Sequence, residues 1–544
     1  MTRLGFLFFV FALTVPALAQ EPGPYAIEVE KVPDELSGRV TAVDFAPDGR
    51  WLLLSHGGEV LARAENGGAV SWDTVSAAGL EGGSGLIAGW WPKSLVVVHG
   101  AGISQLFDTD ADGKVDFVKA LSPVWKFGTS GVLFYGVPGV HDSGDLLMPP
   151  RVLTGPWAGS ILRLPAEGAP TPWVTGLAKA VPPVSGPDAA WLVAGMVGPA
   201  GKESAMIAVV ASSIPDSLPE PEPEPANGEP VPATPAKVNG LDENKPLRLA
   251  DESVKTESKP EEKKDAPKDA ETVKAKAKAT PPAVVAPTGP IVPVTALRIP
   301  AELLSTSPAA IAFPPYSETK TADFGPFSGQ GFLAGEASNR LLRFWLEEID
   351  GVWQGGITDF ASIDSQTPGF SFLRYTPEGG KLLAGQNGHL FGIRPAGGGL
   401  FAVKSVLLAS DGGFEVTFTA PVNRAAAIDP AKWKISAGDA PLPLDPATTR
   451  LIVSADGLTV SVQGKGWSAG QIYRFDFSEW VSETGAKVTH GPVWYTLNRM
   501  PPPLAPAPAP PAEEPAPEKK PEAPAPPAGE PKSEGKDEAK GAAK

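Results

Sequence analysis

Between Thr41 and Trp72 the chain reads TAVDFAPDGRWLLLSHGGEVLARAENGGAVSW, short apolar and β-branched runs separated by Asp48-Gly49 and Gly57-Gly58. Runs this short are poor helices, and glycine supplies the positive φ that tight hairpin turns require. The segment therefore predicts antiparallel strands, one over Trp51–Ser55 and the next over Glu59–Arg63. The pattern returns in KSLVVVHGAGISQLFDTDADGKVDFVKAL, GDLLMPPRVLTGPWAGSILRLPAEGAPTPWV, GQGFLAGEASNRLLRFWLE and GGKLLAGQNGHLFGIRP. A small sheet repeated at about 40 to 50 residues buries its faces only against its neighbours, which is how a β-propeller reads in sequence. The fold class is all-β, with six or seven blades; a β-sandwich or mixed-β fold is the alternative, since no WD or kelch signature accompanies the repeat.

Two segments interrupt this texture. Residues 215–290 and 501–544 are rich in Pro, Ala, Glu and Lys with almost no aromatic residues. Burial there cannot offset an ordering cost of roughly 1 to 2 kcal/mol per residue, so they are expected to be disordered. The propeller is then written in two parts, 20–214 and 291–400, because a long excursion from a surface loop adds little closure entropy. Residues 401–500 alternate polar and apolar positions as a two-sheet, Ig-like β-sandwich does.

Residues 1–19 read as a cleavable signal peptide: Arg3, an apolar run from Leu4 to Leu13, then Ala17-Leu18-Ala19. The expected location is periplasmic or secreted, with no membrane span in the mature chain; an uncleaved anchor is the competing reading. The formal charge of −16 opposes nucleic acid as a partner. With no cysteine, disulfides, thiolate metal sites and covalent haem are excluded.

The stretch DTDADGKVD, Asp108 to Asp116, has the spacing of a calcium loop. Asp108, Asp110, Asp112 and Lys114 stand at positions 1, 3, 5 and 7, Gly113 at 6 and Asp116 at 9. Lys119 occupies position 12, where an EF-hand places a bidentate Glu, and the flanks are strand-like. The stretch reads as a hairpin tip that holds a structural Ca²⁺ through Asp108, Asp110, Asp112, Lys114 and Asp116, or else as a solvated Asp-Gly turn.

The segments DFGPFSGQGFLAGEASNRLLRFWLEEIDGVWQGG (Asp323 to Gly356), GGFEVTFTAPVNRAAAIDPAKWKI and YTLNRMP (Tyr495 to Pro501) resemble large secreted proteins of planctomycete and verrucomicrobial type. These are described as membrane-bound dehydrogenases or haem-binding proteins, with a propeller similar to the glucose/sorbosone dehydrogenases that use pyrroloquinoline quinone (PQQ). The resemblance implies a propeller with a downstream sandwich, and an oxidoreductase acting on sugars with PQQ and Ca²⁺. This chain departs from the pattern in lacking the Cys-x-x-Cys-His of a cytochrome c module, and in carrying Asn387-Gly388-His389 where relatives have Arg-Gly-Trp.

Dehydrogenase chemistry needs a base for the hydroxyl proton and cations for the quinone carboxylates. His141, oriented by Asp142, is the candidate base, and Arg151, Arg163, Arg340, Arg343 and Arg394 are candidate clamps; a loop histidine and ordinary strand-edge arginines are the plain alternative. His56, His99, His389 and His490 show no ligand spacing, and the tryptophans, Trp90 and Trp345 among them, read as core or as a sugar-stacking face. Two functions follow. The first is an exported binding or assembly module with a degenerate dehydrogenase propeller, its partner a carbohydrate or another exported protein. The second is an active PQQ- and Ca²⁺-dependent sugar oxidoreductase.

Overall fold

The computed structural model describes residues 25–502 apart from 67–68, 78, 91, 122–133, 152–156, 166–167, 199–201, 211–289, 315–322, 364–367 and 398. The expected signal peptide, almost all of the Pro-rich insertion and nearly the whole tail lie outside the described residues. Strand β1 (Tyr25–Val29) comes first, and four meanders follow. The first sheet holds β2 (Val40–Phe45), β3 (Trp51–Ser55), β4 (Val60–Asn66) and β5 (Ala69–Ser76). The second holds β6 (Gly85–Ile87), β7 (Ser94–His99), β8 (Gly102–Phe107) and β9 (Phe117–Ala120). The third is β10 (Gly139–Val140), β11 (Leu146–Met148), β12 (Ser160–Leu164) and β13 (Thr171–Thr175). The fourth is β14 (Val184–Ser185), β15 (Trp191–Val197), β16 (Ser204–Val210) and β17 (Val294–Ile299). Because β16 pairs directly with β17, the chain on either side of residues 211–289 belongs to one sheet.

The fifth sheet is β18 (Pro308–Ala312), β19 (Gly331–Gly335), β20 (Arg340–Ile349) and β21 (Val352–Ser362). The sixth consists of β22 (Phe370–Tyr375), β23 (Leu382–Gln386) and β24 (His389–Pro395), and its fourth strand is β1. Tyr25 pairs with Pro395 and Val29 with Phe391, so the N-terminal strand completes the last sheet. Each sheet packs on the next through its own apolar cluster. Leu54 and Leu95 belong to the cluster joining sheets one and two, Val96 and Leu162 to that joining two and three, and Trp173 and Trp191 to that joining three and four. Leu297 and Leu333 link four to five, Phe332 and Leu382 link five to six, and Phe45 and Phe372 link six back to one. The ring is therefore closed: an all-β propeller, with six four-stranded units among the described residues. Burial explains the residue choice along a unit, since β7 is buried at every position and the outer strand β9 is exposed at every position.

Strands β25 (Val403–Leu408), β26 (Phe414–Phe418), β27 (Lys434–Ala437), β28 (Ala440–Pro441), β29 (Arg450–Val453), β30 (Thr459–Gln463), β31 (Gln471–Asp476) and β32 (Pro492–Leu497) form two further layers. One is β25-β26-β30-β29; the other, β32-β31-β27-β28, continues the fifth propeller sheet because β21 pairs with β32. Phe414, Phe475, Tyr473 and Tyr495 fill the space between the layers. Asn498, just beyond β32, donates Nδ2–H to the carbonyls of Thr295 and Trp353, while Gln354 Oε1 accepts the N–H groups of Asn498 and Arg499. The sandwich is thus hydrogen-bonded into the ring.

Candidate functional site

The turns that follow the inner strands of the first and sixth sheets share one construction. In the first sheet Asp44 pairs with Leu52 and Phe45 with Trp51, and Ala46 N–H donates to the Arg50 carbonyl. In the sixth, Arg374 pairs with Leu383 and Tyr375 with Leu382, and Thr376 N–H donates to the Lys381 carbonyl. Asp44 and Arg374 therefore occupy equivalent positions in the first and last sheets. Ring closure makes those sheets neighbours, and Arg374 Nη2 donates to Asp44 Oδ1 at 2.6 Å. Asp44 Oδ2 accepts the N–H of Ala88, just after β6, at 2.7 Å. The Asp44 side chain is 3% exposed and that of Arg374 41%.

This pair lies in the wall of an axial cavity of about 470 Å³, which receives residues from all six inner strands. Phe45, Ile87, Val140, Val184, Ile311 and Leu373 represent the six sheets in its lining, and Trp90, Trp191 and Phe313 add aromatic surface. Gly139 lets the third sheet approach the fourth closely, for a Cβ there would stand 2.9 Å from the Pro183 carbonyl oxygen and 3.1 Å from the Trp191 ring. Among the described lining residues Arg374 is the only cation. The size suits a small organic molecule, and the lining is mostly apolar, with one charged pair and the hydroxyl residues Ser185 and Ser371.

The residues expected to act chemically are distributed differently. His141 has the place in its turn that Ala46 has in the first: its N–H donates to the Asp145 carbonyl, and it accepts from Gly144 N–H. It is consequently buried, with its ring stacked on Trp191 at 6.4 Å between centroids, and it is not among the residues lining the cavity. Nδ1 lies 2.9 Å from Ser143 Oγ and accepts the Ser143 N–H at 3.2 Å; Nε2 is buried without a hydrogen-bond partner among the described residues. Ser143 Oγ donates to Asp145 at 2.9 Å, and Arg163 pairs with Asp145. The carboxylate connected to His141 through Ser143 is thus Asp145, while Asp142 is exposed on the turn.

Of the candidate clamps, Arg163 alone joins this network. Arg151 pairs with Glu336 at 3.2 Å and lies over the Tyr135 ring, Arg340 pairs with Asp359 at 3.5 Å, and Arg394 pairs with Glu28 at 2.7 Å on the outer strands of the sixth sheet. Arg343 is buried where the fifth sheet meets the sandwich. It donates to Gln330 Oε1 and to the carbonyls of Val403 and Lys404, with its guanidinium 3.7 Å from the centre of the Phe327 ring. Burial pushes its pKa down to about 9, so it remains charged at neutral pH. Asn387 and Gly388, both at positive φ, turn β23 into β24, and His389 beside them is exposed. A tricarboxylate quinone needs several cations at one place. The described lining offers one guanidinium and does not fit that group.

The acidic stretch forms the hairpin tip between β8 and β9. Asp108, Asp110 and Asp116 each bring a carboxylate oxygen within 4.8 Å of the others. Asp108 Oδ2 accepts Gly113 N–H, whereas its Oδ1 is buried without a partner among the described residues. Asp112 is not one of these three, and its Oδ1 accepts Lys114 N–H at 2.7 Å. Thr109 N–H and its hydroxyl, both donating to Asp116, hold that carboxyl below its usual range. Three carboxylates and an unsatisfied oxygen suit a hard cation such as Ca²⁺, by the chemistry of the donor set.

No family model matches the sequence, and no curated protein matches it. Among solved structures, the chain is similar to the PQQ domain of a pyranose dehydrogenase from Coprinopsis cinerea, at 10% identity and a TM-score of 0.39, covering 68% of this chain and 97% of that one. A luciferin-regenerating enzyme aligns at 10% identity and a TM-score of 0.38, over 69% of this chain and 96% of that one. A gluconolactonase from Xanthomonas campestris aligns at 11% identity and a TM-score of 0.33, over 68% of this chain and 90% of that one. At such values the likenesses carry no argument about chemistry. Among the described residues, no helix is long and apolar enough to cross a membrane.

The Asp44–Arg374 pair escaped the sequence reading. A signal for it exists: VDFAPDGRWLLL and LRYTPEGGKLLA share the pattern of aromatic residue, proline, acid and glycine, with opposite charges at one matched position.

Proposed function

We propose that the protein is an exported propeller that binds a small molecule in its axial cavity, and that it is a non-catalytic relative of PQQ-type sugar dehydrogenases. One observation carries the reading: the six inner strands surround a largely apolar cavity with a single cation among its described lining, while His141 faces the packing between sheets three and four. A base so placed has no access to a hydroxyl held in the cavity. The kinship with the planctomycete and verrucomicrobial-type proteins rests on the sequence segments that resemble them. Export to the periplasm or medium rests on residues 1–19. A Ca²⁺ held by Asp108, Asp110 and Asp116 would be structural, since that hairpin tip lies on the outer half of its sheet.

The experiment is reconstitution of the purified chain with PQQ and Ca²⁺, followed by dye reduction with a panel of aldoses. The expected result is no turnover. Turnover that disappears in His141→Ala would overturn the binding reading in favour of the sugar oxidoreductase.

A further inference from the structure

The chemistry of the cavity wall restricts its ligand further. We infer that the axial cavity takes a compact apolar molecule bearing a single carboxylate, with that carboxylate on the free edge of Arg374; this rests on the cavity being the binding site. Asp44 is sealed, since one oxygen takes Ala88 N–H and the other Arg374, and the side chain is 3% exposed. Arg374 is 41% exposed, and its hydrogen bond to Asp44 uses one of the five N–H donors a guanidinium carries. A planar donor edge pairs with a carboxylate in bidentate fashion.

The rest of the wall selects against other classes. Side-chain hydroxyls in the lining come from Ser185, Ser371 and Tyr375, the last already donating to the Gln330 carbonyl, so a sugar would set most of its hydroxyls against Val140, Val184, Ile311 and Phe313, which offer no side-chain partner. A second or third carboxylate would find no cation among the described lining residues. Asp44 already balances Arg374, so charge attraction alone is weak, and the ligand must also bury apolar area against the wall. An aryl or branched aliphatic monocarboxylic acid meets both demands.

The test titrates the full chain with 2-naphthoate, its neutral counterpart 2-naphthalenemethanol, and glucose, reading tryptophan fluorescence from Trp90 and Trp191 and confirming by calorimetry. The expected result is that naphthoate binds about tenfold tighter than naphthalenemethanol, one charge-assisted contact being worth roughly 1.5 kcal/mol, and that glucose does not bind. Arg374→Gln should abolish that preference, and Arg374→Lys, which keeps the charge but loses the planar donor edge, should only reduce it, with near-ultraviolet circular dichroism reporting the fold. Equal binding of the acid and the alcohol by the unaltered protein overturns the carboxylate assignment and leaves the cavity as a binding site. Failure of both aryl compounds to bind removes the cavity reading as well. Tighter binding of glucose than of either aryl compound overturns the assignment in favour of a carbohydrate.

Discussion

Asp44 and Arg374, separated by 330 residues, meet at 2.6 Å because they stand at the same position of the first and last sheets of a closed ring. The contact joins the two ends of the propeller and, through Ala88 N–H, a third sheet. Along with the pairing of β1 on β24 it holds the ring shut at its axis.

Arg374→Ala should therefore destabilise the fold by about 2 kcal/mol, less than for a fully buried pair because the guanidinium is partly solvated. Urea unfolding of Asp44→Ala, Arg374→Ala and the double variant checks this. The double variant should be less destabilised than the sum of the two, since leaving Asp44 sealed and unpaired is the larger part of the cost. Additive losses would mean that the pair does not couple the sheets.

Arg343→Met should cost about 3 kcal/mol, although it enlarges no cavity at the axis. It removes the Arg343 donor from Gln330 Oε1 and from the Val403 carbonyl, and leaves the Lys404 carbonyl with Gln330 Nε2–H alone, at the seam between ring and sandwich. Differential scanning calorimetry should show the loss as a lower transition temperature, and the ligand affinity of the folded variant should be unaltered. Unchanged stability would show that the seam does not depend on this guanidinium.

Burial lowers the pKa of both His99 and His490, so each prefers to be neutral when folded. The unfolded chain takes up these protons near pH 6.5 while the folded chain does not, so stability falls as pH drops below about 6.5. Glu347 has the opposite sign, since burial pushes its carboxyl up. The measurement is the urea midpoint at pH 7.5 and 5.5 for the protein and for His99→Asn. A smaller drop in the variant is expected, and an equal drop in both excludes His99 as a contributor.

Added Ca²⁺ should raise the unfolding temperature by a few degrees, as about 1.4 kcal/mol follows from ligand at tenfold its dissociation constant. Asp110→Ala should abolish the response, and Asp112→Ala should retain it, because Asp112 is not one of the three carboxylates that converge. A shift that survives Asp110→Ala would place the ion elsewhere.

Much of the architecture was legible from neighbours within a dozen residues. Asp48-Gly49 and Asn387-Gly388 turn the chain where turn chemistry says they should, and β3 spans the expected Trp51–Ser55. Acidic residues around Gly113 marked a hairpin tip because side-chain-to-backbone hydrogen bonds there are local. The site was hardly legible. His141 precedes a strand with an acid beside it, as an oriented base would. Whether its ring faces the axis or the next sheet depends on its position relative to the last residue pair of the hairpin, and on Trp191 fifty residues on.

Alternation and turn residues alone thus determined an all-β chain of repeated small sheets followed by a second β-rich module, since both act over a few residues. Only the tertiary structure decided that β1 closes the sixth sheet, that β21 runs on into β32, and that Arg343 is buried at a seam. It also decided that Asp44 and Arg374 share an axial wall. The physical reason is ring closure: sheet twist and packing bring the ends of the sequence together, and no local pattern encodes which charges then face one another.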